Sequence, residues 1–422
     1  MKVLLIGSGG REHALAYKLK QSKLLTELKV FPGNGGFLES EILPTNSFNL
    51  KDKNSVQDFV KKNGFEFVVV GPEEPLVDGI IDWLKEISIP AFGPDAYCAQ
   101  LEGSKDFAKE LMLEFGVPTA KYKTFTDLNR SIEYIQSHPL PVVIKADGLA
   151  AGKGVAVCDS HQMGIEFLKE IFVENKFGKS GTKVVIEEFL QGEEASIFAL
   201  TDGETFQIFP AAQDHKRALN NDEGKNTGGM GAYAPAPIAT NVVYEKVKEK
   251  IFSPMLEGLK KKNHPYKGLL YAGLMINKEG EPFVVEFNAR FGDPETQCLM
   301  IILDSDLLEL MLATAKGNLQ DYSLKFKDGF ATVVVLAANG YPDEYKKGFS
   351  IKLNQPNTSS TVVFHAGTKL VEGTLVANGG RILGITSFAK TLQESVTLSY
   401  QYLNENKIEN TFYRTDIARR AL

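Results

Sequence analysis

Val284-Val285-Glu286-Phe287-Asn288-Ala289-Arg290-Phe291-Gly292-Asp293-Pro294-Glu295-Thr296-Gln297 is the stretch around which the chain is organised. Pro282 to Phe287 has the apolar content of a short buried strand. Side chains alternate along a strand, so Glu286 and Asn288 project from one face. Two hard oxygen donors side by side suit a divalent cation. Arg290, Asp293 and Glu295 follow in a turn set by Gly292 and Pro294, and this density of charge is foreign to a core. Asp293 and Glu295 remain open between two roles, binding a substrate or holding Arg290 in place.

Working outward, Leu269 to Ile276 is an apolar strand that forms a hairpin with Pro282 to Phe287 through Asn277 to Glu281. It offers only Tyr271 and Met275 among apolar neighbours, so it supplies no second acidic metal ligand. Asn241 to Lys261 reads as a helix with a solvated lysine face. Upstream, Asp214-His215-Lys216-Arg217 gathers four polar functions, and Asn226 to Tyr233, with Gly228-Gly229, is a loop rich in backbone donors. Lys183 to Glu188 is a strand that runs through Phe189, Leu190 and Glu194 into a second strand, Ala195 to Leu200. Such a crossing suits an adenine ring held by backbone groups, with a following carboxylate for ribose hydroxyls. Before it, Ser104 caps a helix carrying Lys105, and Gly116-Val117-Pro118 ends that helix. A helix near Asp127 to Gln136 precedes the strand Pro141 to Lys145. Ala146-Asp147-Gly148-Leu149-Ala150-Ala151-Gly152-Lys153-Gly154 then leads to the strand Val155 to Cys158. This is a glycine-rich flap whose N–H groups suit phosphates, with Lys145 and Lys153 adding positive charge. It lacks the G-K-[ST] helix opening of a Walker loop.

At the N-terminus, Val3 to Ile6 runs into Gly7-Ser8-Gly9-Gly10-Arg11-Glu12-His13 and an apolar helix, Ala14 to Leu19. The dinucleotide fingerprint fails at its third glycine, where Glu12 stands. The second strand, Leu28 to Phe31, is followed by no acid for a ribose, so a nicotinamide dehydrogenase is disfavoured. A third strand, Phe67 to Val70, ends in Gly71-Pro72-Glu73-Glu74-Pro75, and a helix runs from about Leu76 to Glu86. From Phe330 onward the strands Thr332 to Ala337, Thr361 to His365 and Arg381 to Ile385, with a helix from Ala389 to Tyr402, read as an α+β cap with few polar clusters. His365 and Arg381 have no assigned role.

A chain of 422 residues implies two to four domains, and 43% hydrophobic with 24% charged residues is the balance of a soluble globular protein. A net charge of −6 without a Lys/Arg stripe argues against a nucleic-acid partner. Cys98, Cys158 and Cys298 are odd in number and far apart, so no disulfide framework is expected. Neither a signal peptide nor a membrane-spanning run is evident, and a cytoplasmic protein is expected.

Together these motifs resemble the ATP-grasp enzymes, and within them the glycinamide ribonucleotide synthetase family of ATP-dependent carboxylate-amine ligases, over essentially the whole chain. Arg290 to Gln297 is similar to that family's signature octapeptide. The other supports are Gly7 to Ala14, Gly71-Pro72-Glu73, Lys145 to Val155, Asp214 to Lys216 and the Gly228 to Tyr233 loop. The resemblance implies a multidomain fold of α/β and α+β parts. A doubly wound parallel-sheet domain spans 1–103, an ATP-grasp core spans 104–328 with a mobile lid at about 120–190, and an α+β domain spans 329–422. It implies that ATP, glycine and 5-phospho-D-ribosylamine give glycinamide ribonucleotide, ADP and phosphate through glycyl phosphate, in de novo purine biosynthesis. By the same resemblance Lys105, Lys145, Gly152, Lys153 and Gly154 hold nucleotide phosphates, Glu187, Glu188 and Leu190 line the adenine, and Glu194 takes the ribose. Glu286 and Asn288 ligate Mg²⁺ or Mn²⁺. Arg290, Lys145 and Asp293 serve the acyl-phosphate chemistry, and Gly9, Gly10, Asp214, His215, Lys216 and Gly229, with Arg290 and Asp293, bind the substrates. A monomer working on small molecules is expected. A non-catalytic nucleotide-binding regulator is the competing class, and a different ATP-grasp ligase or carboxylase is the competing enzyme.

Overall fold

The computed structural model describes residues 1–150, 154–354 and 360–422. The expected phosphate contacts Gly152 and Lys153 lie outside the described residues.

Val3 to Ile6 is apolar at every position because both faces of its sheet are covered, as parallel sheets require. Strands Glu27–Pro32, Lys2–Gly7, Phe67–Val70 and Ala91–Phe92 pair in that order, all parallel. Ala91–Phe92, only two residues long, is a fourth strand that periodicity does not reveal. Val3 and Leu5 pack against Leu15, Leu19 and the helices Glu295–Ile302 and Leu307–Lys316, whereas Leu4 and Ile6 pack against Val56, Val60, Leu76 and Leu84. The helix expected over 76–86 is two, Glu73–Val77 and Ile80–Glu86. Gly79, at φ +94°, breaks it in a conformation that other residues rarely adopt.

The middle of the chain builds two antiparallel sheets. Phe206–Ile208, Glu193–Asp202, Lys267–Ile276 and Pro282–Asn288 form one. Tyr122–Phe125, Val184–Glu188, Val142–Ala146 and Val155–Cys158 form the other. They meet where Thr119 pairs with Val284 and Val284 N donates to Pro118 O at 2.8 Å. The stretch 241–261 is helical throughout, but with a π turn at Lys248–Phe252 between Asn241–Val247 and Ser253–Lys261.

The last sheet is not made by residues 329–422 alone. Gln213–Asp214 and Gly231–Ala234 extend Phe330–Ala338, Arg381–Ala389 and Thr361–His365 into one sheet, with Thr411–Phe412 also on Phe330–Ala338. The loop 227–230 leads into Gly231–Ala234, an inner strand of this sheet, and is held on both sides, with Thr227 N–H donating to Lys216 O and Val335 N–H to Met230 O.

Candidate active site

The hairpin Lys267–Ile276 and Pro282–Asn288 carries a bulge: Gly273 faces Glu286 while Leu274 faces Val284. Val285 is therefore the extra residue, and its carbonyl accepts from Lys145 Nζ at 3.0 Å. Glu286 and Asn288 stay two residues apart and share a face. Gly273 leaves Glu286 close beside it, where a Cβ would come 3.2 Å from Glu286 Cγ.

Four cations from separate segments surround the Glu286 carboxylate. Burial pushes its pKa up, but Lys216, Lys145, Lys105 and Arg290 outweigh that and hold it below the ordinary value. Lys216 Nζ lies 3.7 Å from Glu286 Oε1 and 3.2 Å from Glu194 Oε2. Lys105 Nζ donates to Gly148 O at 2.9 Å, tying the helix Lys105–Glu114 to the glycine flap, where Gly148 has φ +103°. Lys145 Nζ also meets Glu187 Oε1 at 2.9 Å. Burial raises the Asp214 carboxyl, Lys216 opposing it and Glu295, Glu194 and Glu286 adding to the rise.

Arg290 is held by neither of the two acids that follow it. Its Nη2 lies 2.7 Å from Glu102 Oε1 and donates to Asn288 Oδ1 at 3.1 Å, and its Nε donates to Glu73 Oε2 at 3.3 Å. Glu102 Oε2 accepts Ala289 N–H at 2.7 Å, so this one carboxylate fixes both the backbone and the guanidinium after the metal-type ligands. Burial raises the Glu102 carboxyl to about 7 against the pull of Arg290. Burial also works to raise Glu73, but Arg290 and Arg11 prevail and hold it at about 2. Asp293 instead faces Arg381, at 3.4 Å, and accepts from Gln297 Nε2 at 2.9 Å. Glu295 accepts from Tyr271 OH at 2.8 Å and Ser196 Oγ at 3.0 Å. Of the two roles open for these acids, holding Arg290 is corrected: its partners are Glu73, Glu102 and Asn288, and Asp293 and Glu295 are bound elsewhere.

Asp293 lies against the N-terminal turn. A Cβ on Gly9 would come 3.1 Å from Asp293 Oδ2, and one on Gly10 2.5 Å from Gln297 Nε2. Gly229, at φ +107°, is pressed on Pro294, where a Cβ would come 2.4 Å from Cδ. Arg381 closes this corner, donating to Gly228 O at 2.6 Å and Asp293 O at 2.7 Å. Asn34 Nδ2 donates to Ser8 O at 2.8 Å and His365 O at 2.9 Å, so the N-terminal turn and the C-terminal sheet share one wall.

Three expected contacts fall elsewhere. His215 is buried against the C-terminal segment: its Nε2 accepts Ala418 N–H at 3.2 Å, and burial lowers its pKa to about 4. The Glu187 carboxylate is buried between Lys145 and Lys109 and is not open to an adenine, and Glu188, half-buried, has its Oε1 accepting Lys121 N–H at 2.9 Å. Glu12 replaces the fingerprint glycine with consequence: its side chain fills the space above Gly7 and Gly71, where a Cβ would come 2.3 and 2.1 Å from it, and its Oε2 accepts Gly9 N–H at 2.6 Å. Glu102 and Lys109 are charged groups that motif spacing missed, and Glu73 stands in a quoted motif without its role as a partner of Arg290. Lys109 had a signal, standing one helical turn from Lys105 on the same face.

Two antiparallel sheets meeting over a lysine-lined cleft, with the Glu286 carboxylate and Asn288 amide on the terminal strand, define an ATP-grasp enzyme. The family models agree along the chain: "Phosphoribosylglycinamide synthetase, N domain" matches residues 1–102, its "ATP-grasp (A) domain" 103–296 and its "C domain" 331–420. The chain belongs to the phosphoribosylglycinamide synthetase family. It is 58% identical over 424 residues to the phosphoribosylamine–glycine ligase of Leptospira interrogans serovar copenhageni, covering 100% of this chain and 99% of the relative. The crystal structure of phosphoribosylamine–glycine ligase from Thermotoga maritima superposes with a TM-score of 0.85 at 34% identity, covering 99% of this chain and 100% of that one. The biotin carboxylase domain of the Hydrogenobacter thermophilus 2-oxoglutarate carboxylase shares the fold, with a TM-score of 0.74 at 17% identity over 98% of this chain and 91% of that one. Among the described residues no helix is long and apolar enough to cross a membrane.

Proposed function

We propose that the chain joins glycine to 5-phospho-D-ribosylamine with ATP, giving glycinamide ribonucleotide, ADP and phosphate in purine biosynthesis, with cytoplasmic small molecules as its only substrates. The observation that carries this is the convergence of Lys105, Lys145, Lys216 and Arg290 on Glu286. A polyphosphate and a carboxylate repel each other, and this concentration of positive charge is what brings them together. Lys105 and Lys145 take the nucleotide phosphates under the glycine flap, the backbone of 187–190 lines the adenine, and Glu194, its side chain 41% exposed, is reachable by a ribose.

The donor set fits a divalent cation. Glu286 and Asn288 supply two hard oxygens on one face, and no cluster of three or more His, Cys, Asp or Glu ligands occurs among the described residues. Mg²⁺ is commonly held this way, by one or two protein oxygens with substrate phosphates and water completing the shell, and Mn²⁺ can replace it. Such an ion, when bound, supplies charge neutralisation at the transferring phosphoryl group.

A glycine carboxylate oxygen attacks the γ-phosphorus, the bond to the ADP oxygen breaks, and glycyl phosphate forms. Arg290, fixed by Glu73 and Glu102, stands beside the metal ligands to hold the acyl phosphate. The phosphoribosylamine nitrogen then attacks the carbonyl, phosphate leaves with one oxygen of the original carboxylate, and the amine proton is released. Gly9, Gly10, Asp293, Gly229 and Lys216 form the wall for this second substrate. Closure of the 120–190 lid excludes water from the hydrolysable anhydride. Phosphate release should require ATP, glycine and freshly generated phosphoribosylamine together. Release that ignores glycine would refute the assignment, and release with a different acid or amine would favour another ATP-grasp ligase.

A further inference from the structure

We propose that Lys109 is a positioning residue for nucleotide binding: through Glu187 it sets the place and the free charge of Lys145. The proposal rests on the assignment of Lys145 to the nucleotide phosphates. Lys109 itself cannot reach a nucleotide, since its side chain is 2% exposed and stands behind Glu187.

Glu187 is a bridge with one oxygen for each lysine. Its Oε1 lies 2.9 Å from Lys145 Nζ and its Oε2 3.3 Å from Lys109 Nζ, and the three side chains are 4, 5 and 2% exposed respectively. Charges so far from water interact strongly, so their sum decides what the cleft presents. One carboxylate between two ammonium groups leaves a net positive charge. Without Lys109 the same carboxylate would neutralise Lys145 completely, and an incoming polyphosphate would have to compete for a cation already paired.

The arrangement is also anchored to the strand that carries the metal-type ligands. Lys109 Nζ donates to Thr119 Oγ1 at 2.7 Å, and Thr119 Oγ1 donates to Val284 O at 2.6 Å. Lys145 Nζ donates to the next carbonyl, Val285 O, at 3.0 Å. Two adjacent carbonyls, the second freed by the bulge, thus locate the two lysines relative to Glu286. Lys105 and Lys109, one turn apart on the helix Lys105–Glu114, serve the same end, the first from the flap side and the second through Glu187. Burial depresses the Lys109 amine to about 8, with Glu187 resisting that fall.

The test is steady-state kinetics on the full chain, with KM for ATP and for glycine measured separately in Lys145→Met, Lys109→Met, Lys109→Arg and the double variant Lys109→Met/Glu187→Gln. The coupling of a close, desolvated charge pair is worth on the order of tenfold to a hundredfold in affinity. Lys109→Met should raise KM for ATP by about that factor and leave KM for glycine within about threefold, because only the phosphate cation is disturbed. Lys109→Arg should recover most of the loss. The double variant should recover part of it, because Lys145 is then released from an unshared carboxylate. A fall in kcat alone, with KM for ATP unchanged, would mark Lys109 as structural and overturn the proposal, as would equal KM values for Lys109→Met and the double variant. If Lys109→Met does not fold, an ATP KM for Lys109→Arg raised as far as that of Lys145→Met overturns it, and one near wild type supports it. Lys145→Met must itself raise KM for ATP. If it does not, the assignment of Lys145 fails and the proposal with it, whereas a rise with Lys145→Met alone sinks only the role of Lys109.

Discussion

Replacing Arg290 by lysine separates the charge of this residue from its geometry. The guanidinium serves Glu102 Oε1 at 2.7 Å, Asn288 Oδ1 at 3.1 Å, Glu73 Oε2 at 3.3 Å and Phe291 O at 3.3 Å. A planar fork meets these partners at once, and a single ammonium on a flexible stem does not. The positive charge is kept, so Glu73 and Glu102 remain compensated and the cost in stability should be about 1–3 kcal/mol, that of one charged hydrogen bond. Methionine at 290 would instead strand two acids, at about 3–5 kcal/mol, and confuse unfolding with catalysis. The chemical step is more sensitive. A misplaced donor to developing charge costs about 2.7–4 kcal/mol, so kcat should fall about 10²- to 10³-fold in Arg290→Lys. The assay is phosphate release with saturating ATP, glycine and phosphoribosylamine, beside a denaturant unfolding curve. A kcat within tenfold of wild type in a folded Arg290→Lys protein would refute the placement of this guanidinium on the acyl phosphate.

Two further outcomes are expected. Glu286→Ala should lose activity at low Mg²⁺ by raising the metal requirement, read from a Mg²⁺ titration of rate and of metal binding, and unchanged turnover at low Mg²⁺ would remove Glu286 from the metal site. Acid should weaken the junction of the N-terminal turn with the C-terminal sheet. His13 Nδ1 accepts His365 N–H at 2.8 Å, and burial, with His365 and Lys20 nearby, lowers its pKa to about 3 from 6.5. The unfolded chain therefore binds the proton first, and the stability present above 6.5 is lost as pH falls from there toward 3. At about pH 5 the loss due to His13 is about 2 kcal/mol. His13→Gln should show a correspondingly smaller drop in unfolding free energy between pH 7 and pH 5, and an equal drop would contradict the role of this histidine.

The parts of the molecule legible in the sequence are those that local pattern fixes. Pro282 to Asn288 alternates like any strand, so the pairing of Glu286 with Asn288 on one face follows from the order of residues alone. Glu12 in place of a glycine disfavours a dinucleotide from the sequence alone, and its side chain occupies the space above Gly7 and Gly71. What escaped depends on long-range contact. Glu102 reaches a residue 187 positions away to hold Ala289 N–H, and nothing in the helix Ala96–Gly103 marks it apart from other surface acids. Gln213–Asp214 and Gly231–Ala234 are too short for periodicity to declare, yet they set the loop that Arg381 holds against Asp293. His215 escaped for the same reason, since the contact that holds it, Ala418 N–H on its Nε2, comes from 203 positions away.

The account stands or falls on the activated carboxylate. Glycine labelled with heavy oxygen in both carboxylate positions should, in one turnover with ATP and phosphoribosylamine, yield phosphate carrying one labelled oxygen and glycinamide ribonucleotide carrying the other. Phosphate free of the label, with product formed, would mean that the amine was never joined through an acyl phosphate and would contradict the account.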